Sequence, residues 1–224
     1  MGRRAATGER SEVTVARDAP KVRDLPKPRK NESAAGAAVQ WIFQWPYRAI
    51  LAVLLWARVR PWHLTVAALA LNVLTGVLII SGDWFAAGWV LLAAGLCDVF
   101  DGSVARHLGQ QKRSGAFMDS VLDRVADAIL FSCLFWALAE DGRELDAALA
   151  LFTLVVSLSV SHIRAEAEAV GVTLTEGLFQ RLERFLALMV GLLVPGAMTP
   201  ILVLLAALGA VTALQRSWSA LVRA

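Results

Sequence analysis

Six apolar segments, each close to the length of a membrane-spanning helix, follow one another along most of the chain. They occupy residues 62–81, 84–106, 115–139, 146–166, 182–198 and 200–220, and short polar links separate them. An α-helix needs about 20 apolar residues to cross the hydrocarbon core of a bilayer. The pattern therefore predicts an all-α integral membrane protein whose six transmembrane helices form one domain over residues 61–224.

The chain ahead of these helices divides into two parts of different character. Residues 1–36 combine nine lysines and arginines with three prolines and few large apolar residues, which is typical of a disordered basic cytoplasmic tail. Residues 37–60 mix tryptophans, aliphatic residues and arginines, which predicts an amphipathic juxtamembrane helix. A spanning helix is the alternative for residues 37–60, but Arg48 would then lie near the middle of the bilayer at high cost.

Composition and charge narrow the class of protein further. Hydrophobic residues make up 57% of the chain and charged residues 18%, which excludes a disordered chain, a disulfide-rich secreted domain and a typical soluble enzyme. Lysine and arginine collect at the helix ends that share a side with the N-terminal tail. Because such residues stay on the cytoplasmic side, we expect a multi-pass protein of the cell membrane with both termini cytoplasmic. No nucleic-acid partner is expected.

Four carboxylates lie within the second and third predicted spans, where ionisable residues are costly and usually mark a functional site. Asp98 and Asp101 are three residues apart, and Asp119 and Asp123 are four apart, so each pair shares one helix face. Antiparallel packing of the two helices would bring these faces together. Carboxylates of this kind suit hard divalent cations, so the sequence predicts a site for two Mg²⁺ ions, with Mn²⁺ as a substitute. Asp127, one turn deeper, is expected to support that site.

The aspartates are part of a longer pattern that resembles the full signature of the CDP-alcohol phosphotransferase family. Its fixed positions in this chain are Asp98, Asp101, Gly102, Ala105, Arg106, Gly115, Asp119 and Asp123. The resemblance implies a homodimeric six-helix membrane enzyme, preceded by a juxtamembrane helix, that transfers a phosphoalcohol group from a CDP-linked donor to an acceptor hydroxyl and releases CMP. It also implies that all four aspartates bind metal and that Asp123 is the general base.

The same resemblance implies which residues face the donor, CDP-diacylglycerol. These residues are Thr65, Gly102, Arg106, Lys112 and Gly115. Thr65 follows Pro61 in a Pro-x-x-x-Thr element, although Trp62 stands where Asn or Asp is common in the family.

A second group of residues, near the cytoplasmic ends of the last three spans, concerns the acceptor. The region resembles the phosphatidylinositol phosphate synthase branch, which implies that the acceptor phosphate is held by Ser161, Arg164, Arg184 and Arg216. Two positions differ from that branch, where Tyr and Arg occupy the places of His162 and Glu166. An acid at 166 is compatible with an anionic acceptor if it faces away and pairs with Arg181. Inositol phosphate is the favoured acceptor, and glycerol 3-phosphate is the alternative.

The aspartates and arginines also have to be weighed against roles in other classes of protein. The aspartates could form salt bridges with Arg106 and Arg124, but two arginines cannot neutralise four buried acids. The arginines near the acceptor could be topology anchors that extend to the membrane interface. A membrane prenyltransferase would carry two aspartate-rich motifs far apart in a longer chain. A divalent-cation channel or carrier would not need the spacing of Gly102, Ala105 and Arg106.

Overall fold

The computed structural model describes residues 46–109, 113–172 and 181–223, and it divides them into two units between Val59 and Arg60. All the regular structure in these ranges is helical, as the apolar pattern predicts. The predicted basic tail over residues 1–36 and the first part of the juxtamembrane segment lie outside the described residues.

Helix α1, Pro46–Trp56, is the described part of the juxtamembrane segment. It begins at Pro46, because proline suits the first turn of a helix, where its missing N–H leaves no hydrogen bond unmade. It ends before Arg58, whose φ of 54° is left-handed and incompatible with a continuing helix. At 1.5 Å per residue α1 is about 16 Å long, roughly half the thickness of the hydrocarbon core.

Six further helices make up the second unit and match the six predicted apolar segments closely. They are α2 (Pro61–Ile80), α3 (Trp84–His107), α4 (Arg113–Glu140), α5 (Glu144–Ala169), α6 (Arg181–Leu193) and α7 (Met198–Arg223). Four of them, α2, α3, α5 and α7, are long and apolar enough to cross a membrane. Helix α4 has the length, with 28 residues, but carries several charged side chains, and the described α6 has 13 residues.

The prediction of a fifth segment over 182–198 and a link at 198–200 was wrong. Helix α6 ends at Leu193, the link covers residues 194–197, and α7 already begins at Met198. Pro195 disfavours a helical conformation at the residue before it, and Gly196 has a φ of 80° that glycine adopts without strain. Pro200 lies in the first turn of α7, where a helix needs no N–H donor.

The six helices form a ring in which each packs against two others. The order around the ring is α2, α3, α6, α7, α5, α4 and again α2. Within the described residues, α3 and α4 therefore do not pack against each other, although they follow one another in the chain, because α2 lies between them. The expectation that their acidic faces meet is confirmed for the side chains, because carboxylate oxygens of Asp98, Asp119 and Asp123 reach across the gap to within 4.8 Å of one another.

The apolar core fills one half of this ring. Phe131, Leu134 and Leu138 of α4 are almost completely buried, together with Leu91 of α3 and Leu202 of α7. These residues lie toward the turns that join α2 to α3, α4 to α5 and α6 to α7. The opposite half contains Asp98, Asp101, Asp119 and Asp123 and a polar cavity, and an apolar cavity extends from there to Phe131 and Leu188 of the core.

Close contact between α3 and α6 depends on glycine. A Cβ atom at Gly88 would lie 2.6 Å from Leu193 Cδ2, and one at Gly95 would overlap the ring of Phe185. A larger residue at either position would force the Leu193 or Phe185 side chain, or α6 itself, to move.

Candidate functional site

Three of the four predicted aspartates come together in the interior of the ring. Asp98 of α3 and Asp119 and Asp123 of α4 each offer a carboxylate oxygen, and these oxygens lie within 4.8 Å of one another. All three residues are partly buried. Asp119 and Asp123 share a face of α4 because they are four residues apart, and Asp98 reaches them across the gap between α3 and α4. We call these three residues the carboxylate cluster.

The chemistry of the carboxylate cluster fits a divalent cation. Three like charges at this separation repel one another strongly where little water is present, and a hard cation removes that repulsion. Carboxylate oxygens are the ligands that Mg²⁺ and Mn²⁺ take in proteins. The cluster borders a crevice of about 10 Å³, which Thr65 and Asn72 of α2 also line.

Asp101, the fourth predicted aspartate, lies beside the cluster rather than among its three oxygens. It is 7% exposed, and its Oδ2 accepts a hydrogen bond of 2.8 Å from the Thr65 hydroxyl. The same hydroxyl lies 3.2 Å from the Pro61 carbonyl oxygen in the first turn of α2. The structure therefore brings the predicted Thr65 into contact with Asp101 and ties α2 to α3 at this point.

The other predicted donor-binding residues lie near the ends of α3 and α4. Arg106 donates a hydrogen bond of 2.9 Å to Ser103, and a Cβ atom at Gly102 would lie 3.4 Å from its guanidinium. Gly115 is exposed, with nothing within 4 Å of where a Cβ would be. Lys112 lies outside the described residues. Arg124 donates to the carbonyl and the hydroxyl of Ser120 on its own helix.

All four predicted acceptor residues line one polar cavity. Its volume is about 400 Å³, and its walls include Ser161, Arg164, Arg184 and Arg216 together with Asp119 and Asp123 of the carboxylate cluster. Helices α4, α5, α6 and α7 each contribute at least one of these residues. The sequence reasoning placed the arginines on the same side as the aspartates, and the structure brings both groups to a single space.

Each arginine of the polar cavity has a different partner. Arg216 is 7% exposed and donates to the Val160 carbonyl oxygen of α5 at 3.4 Å. Arg164 is more than half exposed and pairs with Glu168 at 2.9 Å. Glu168 also lines the cavity, and sequence reasoning did not assign it a role there. Arg184 pairs with Asp127 of α4.

Glu166, the departure from the synthase branch, points away from the polar cavity. Its side chain is 68% exposed and lies 3.9 Å from the equally exposed His162. The Arg181 side chain, its expected partner, lies outside the described residues. The two departures from the branch therefore lie next to each other on the outside of α5, and neither lines the polar cavity.

A second large cavity, of about 430 Å³, is mainly apolar. Its walls come from α2, α3, α4 and α6, and they include Phe131, Phe185 and Leu188. Its polar lining residues are Asn72, Asp98, Asp127 and Arg184. The carboxylate cluster lies between the two cavities, because Asp98 lines the apolar cavity while Asp119 and Asp123 line the polar one.

Asn72 is a candidate site residue that sequence reasoning missed. It is 8% exposed, its amide donates to the Ala68 carbonyl at 2.8 Å, and it lines both the apolar cavity and the crevice of the carboxylate cluster. The signal was present in the sequence, since a lone asparagine interrupts the apolar segment 62–81. Polar residues inside membrane spans usually face the interior of the helix bundle.

Comparison with known proteins identifies the family. A family model for CDP-alcohol phosphatidyltransferases matches residues 58–215, which is most of the chain. The chain belongs to the CDP-alcohol phosphatidyltransferase family. The match includes helices α2 to α6 and α7 up to the residue before Arg216, so it covers the carboxylate cluster and most of the polar cavity.

Individual members of the CDP-alcohol phosphatidyltransferase family extend the comparison. The phosphatidylinositol phosphate synthase of Corynebacterium glutamicum is 34% identical over 148 residues, which are 64% of this chain and 67% of that protein. A structure of the Mycobacterium tuberculosis phosphatidylinositol phosphate synthase with CDP-DAG bound is 30% identical, with a TM-score of 0.70. That match covers 77% of this chain and 92% of the other.

The same mycobacterial synthase in complex with manganese and citrate matches with a TM-score of 0.70 over 77% of this chain and 87% of the other. The matches to curated relatives cover between 48% and 70% of the relatives' own length. The chain therefore shares the fold of the mycobacterial synthase over most of its length and matches the curated relatives over about half to two thirds of theirs. The mycobacterial matches also associate this fold with a CDP-linked lipid and with a divalent cation.

Proposed function

We propose that the protein is a Mg²⁺-dependent phospholipid synthase that transfers a phosphatidyl group from CDP-diacylglycerol to a hydroxyl of inositol phosphate. The observation that carries this proposal is the polar cavity. It places three arginines and a serine hydroxyl opposite Asp119 and Asp123. Arginine binds phosphate through paired hydrogen bonds, so an acceptor that carries a phosphate is favoured over an uncharged polyol.

The apolar cavity supports a lipid-linked donor. Asp98 lines this cavity and also belongs to the carboxylate cluster, so a diphosphate beside Asp98 would have apolar walls next to its lipid part. The cytidine end would then lie near Gly102, Arg106, Lys112 and Gly115. The relative with CDP-DAG bound is in accord with this assignment.

The carboxylate cluster would hold the metal. We assign Asp98, Asp119 and Asp123 as ligands, with Asp101 completing a site for two Mg²⁺ or Mn²⁺ ions and Thr65 fixing the Asp101 carboxylate. When bound, the ions neutralise the donor phosphates and stabilise the charge that develops during transfer. The mycobacterial relative solved with manganese supports a divalent cation at this fold.

Asp123 is the residue that we assign as general base, as the family signature implies. Like Asp119, it belongs to the carboxylate cluster and lines the polar cavity, so it would face both the donor phosphates and the acceptor. Asp123 would accept the proton of the acceptor hydroxyl while the hydroxyl oxygen forms a bond to the phosphorus attached to diacylglycerol. The bond from that phosphorus to the bridging oxygen breaks, and CMP leaves with that oxygen.

The membrane arrangement proposed with this function has six spans, both termini cytoplasmic, and two copies of the chain in a homodimer. The predicted tail (1–36) and juxtamembrane helix (37–60) would then lie on the cytoplasmic face of the cell membrane. Cysteines introduced at Glu144 and at His107 test the orientation in a variant whose Cys97 and Cys133 are replaced by serine. An impermeant thiol reagent should label position 144 in intact cells and position 107 only after permeabilisation.

The function is tested with purified protein, CDP-diacylglycerol and Mg²⁺. Inositol 1-phosphate, free inositol and glycerol 3-phosphate are compared as acceptors by the rate of CMP release. Inositol phosphate is expected to have the highest kcat/KM. A preference for glycerol 3-phosphate would make the protein a phosphatidylglycerol phosphate synthase, and no CMP release with any acceptor would favour a cation channel or carrier.

A further inference from the structure

Asp127 and Arg184 form a buried ion pair across the interior of the ring. Arg184 Nη2 of α6 lies 2.5 Å from Asp127 Oδ2 of α4, and the two side chains are 12% and 17% exposed. The Ser157 hydroxyl of α5 donates to the same carboxylate oxygen at 3.1 Å. Three helices therefore meet at one carboxylate.

This ion pair spans a wide gap between two helices. Within the described part of the chain, no Cα atom of α4 lies within 8 Å of one of α6, so the arginine side chain crosses the interior to reach Asp127. Asp127 is also outside the carboxylate cluster that could hold metal. The sequence-based expectation that it supports the metal site does not account for the contact that it makes.

Arg184 has a special position among the residues that line the two large cavities. It is the only residue of the described chain that lines both of them, whereas Asp127 lines only the apolar one. The pair therefore lies in the wall between the space proposed for the lipid donor and the space proposed for the acceptor. Asp127 contacts the Arg184 guanidinium from the side of the apolar cavity.

We propose that Asp127 is a positioning residue for the acceptor, which acts by fixing the Arg184 guanidinium at the border of the polar cavity. The proposal rests on the proposed function and assigns a residue that the family signature does not include. A guanidinium carries five N–H donors, and the bond from Nη2 to Asp127 uses one of them. Because Arg184 also lines the polar cavity, its remaining N–H groups would be available to an acceptor phosphate there.

The ion pair favours acceptor binding through preorganisation. A free arginine side chain loses considerable conformational entropy when it binds a phosphate, and the bond to Asp127 imposes that order before the acceptor arrives. Without the carboxylate, Arg184 would be a buried charge without its counterion and would turn toward water. The affinity for the acceptor should then fall more than the affinity for the donor, because the donor is held mainly by the carboxylate cluster and Arg106, although Asp127 also borders the apolar cavity.

The test compares Asp127→Asn, Arg184→Ala and the double variant in the purified protein. Asp127→Asn should raise the acceptor KM about tenfold or more and leave the donor KM within about twofold. The double variant should be no worse than Arg184→Ala alone, because Asp127 acts through that arginine. Asp127→Glu, which keeps the carboxylate, should retain more affinity than Asp127→Asn.

Two controls separate positioning from a structural role. Ser157→Ala removes one bond to Asp127 without leaving an unpaired charge, and it should raise the acceptor KM about two- to tenfold even if Asp127→Asn does not fold. Asp146→Asn breaks a partly buried pair with Arg143 beside the turn between α4 and α5, and it should lower thermal stability with both KM values unchanged. Lower stability with unchanged acceptor KM for both Asp127→Asn and Ser157→Ala, or independent effects in the double variant, would overturn the proposal.

A binding measurement keeps this proposal distinct from the proposed function. Inorganic phosphate should raise the thermal midpoint of the wild-type protein, and about tenfold more phosphate should be needed for Asp127→Asn. Phosphate binding that depends on Asp127 without CMP release would refute the proposed function and support the positioning role. No phosphate binding by the wild-type protein would refute the positioning role itself.

Discussion

Two networks of the same composition lie at different depths of the helix ring. Near the middle of α4 and α5, Asp127 accepts hydrogen bonds from Arg184 and Ser157. Beside the turn between α4 and α5, Asp146 of α5 accepts from Arg143 at 2.7–2.8 Å and from Thr199 of α7 at 3.0 Å. Each network joins one aspartate to one arginine and one hydroxyl.

The surroundings of the two networks differ. Arg143 is three residues from Asp146 and also donates to Thr199, so its guanidinium is occupied within its own network. Arg184 comes from a distant part of the chain and borders two large cavities, neither of which the Asp146 network lines. The cavities beside Arg184, rather than the ion pair itself, are the reason why we propose a role in acceptor binding for one network and a structural role for the other.

The largest predicted effect concerns Asp123, which lines the polar cavity. Asp123→Asn should lower kcat by about 10²–10⁴-fold, because the proposed base is lost, while CDP-lipid binding is largely kept. The measurement is the rate of CMP release together with the donor KM. Asp146→Asn is the matched control with unchanged kinetics, and near-normal turnover by Asp123→Asn would refute the assignment of the base.

The next effect distinguishes an arginine of the polar cavity from the arginine of the Asp146 network. Arg216→Ala should raise the acceptor KM about ten- to a hundredfold, since one charge-assisted contact to a phosphate is worth roughly 1.5–3 kcal/mol. Arg143→Ala, in the Asp146 network, should leave both KM values unchanged. If Arg216 is only a topology anchor, its replacement will reduce the yield of inserted protein without changing the kinetics of what is recovered.

The Asp146 network should determine stability rather than turnover. Asp146→Asn removes the charge that holds the start of α5 to α7, and we expect a loss of about 1–3 kcal/mol in unfolding free energy. Thermal denaturation in detergent measures this loss, beside the kinetics of the same preparation. A change in the acceptor KM of this variant would mean that the Asp146 network and the polar cavity are coupled.

The smallest effect is expected at the surface of α5. Glu166→Arg restores the residue of the synthase branch, but Glu166 points outward, so the kcat/KM for inositol phosphate should change by less than about twofold. A glutamate that reached the polar cavity would instead give a clear gain in this variant. The kcat/KM of the variant and of the wild-type protein are measured in membranes that are prepared in the same way.

The sequence predicted where the helices lie and which residues gather at the candidate site. It did not predict which helices are neighbours or which side chains pair across the interior. Long apolar segments report helices directly, and spacings of three and four place aspartates on a shared face. The insertion of α2 between α3 and α4 depends on packing between distant segments, which no local pattern records. The same holds for the pairing of Asp127 with Arg184, 57 residues apart in the chain.

The central claim is that the acceptor in the polar cavity carries its own phosphate into a lipid product. The direct test gives the purified protein CDP-diacylglycerol, Mg²⁺ and inositol phosphate that is radiolabelled in its phosphate. We predict a labelled lipid, extractable into organic solvent, in an amount equal to the CMP released. Release of CMP with the label remaining in the aqueous phase would contradict the claim.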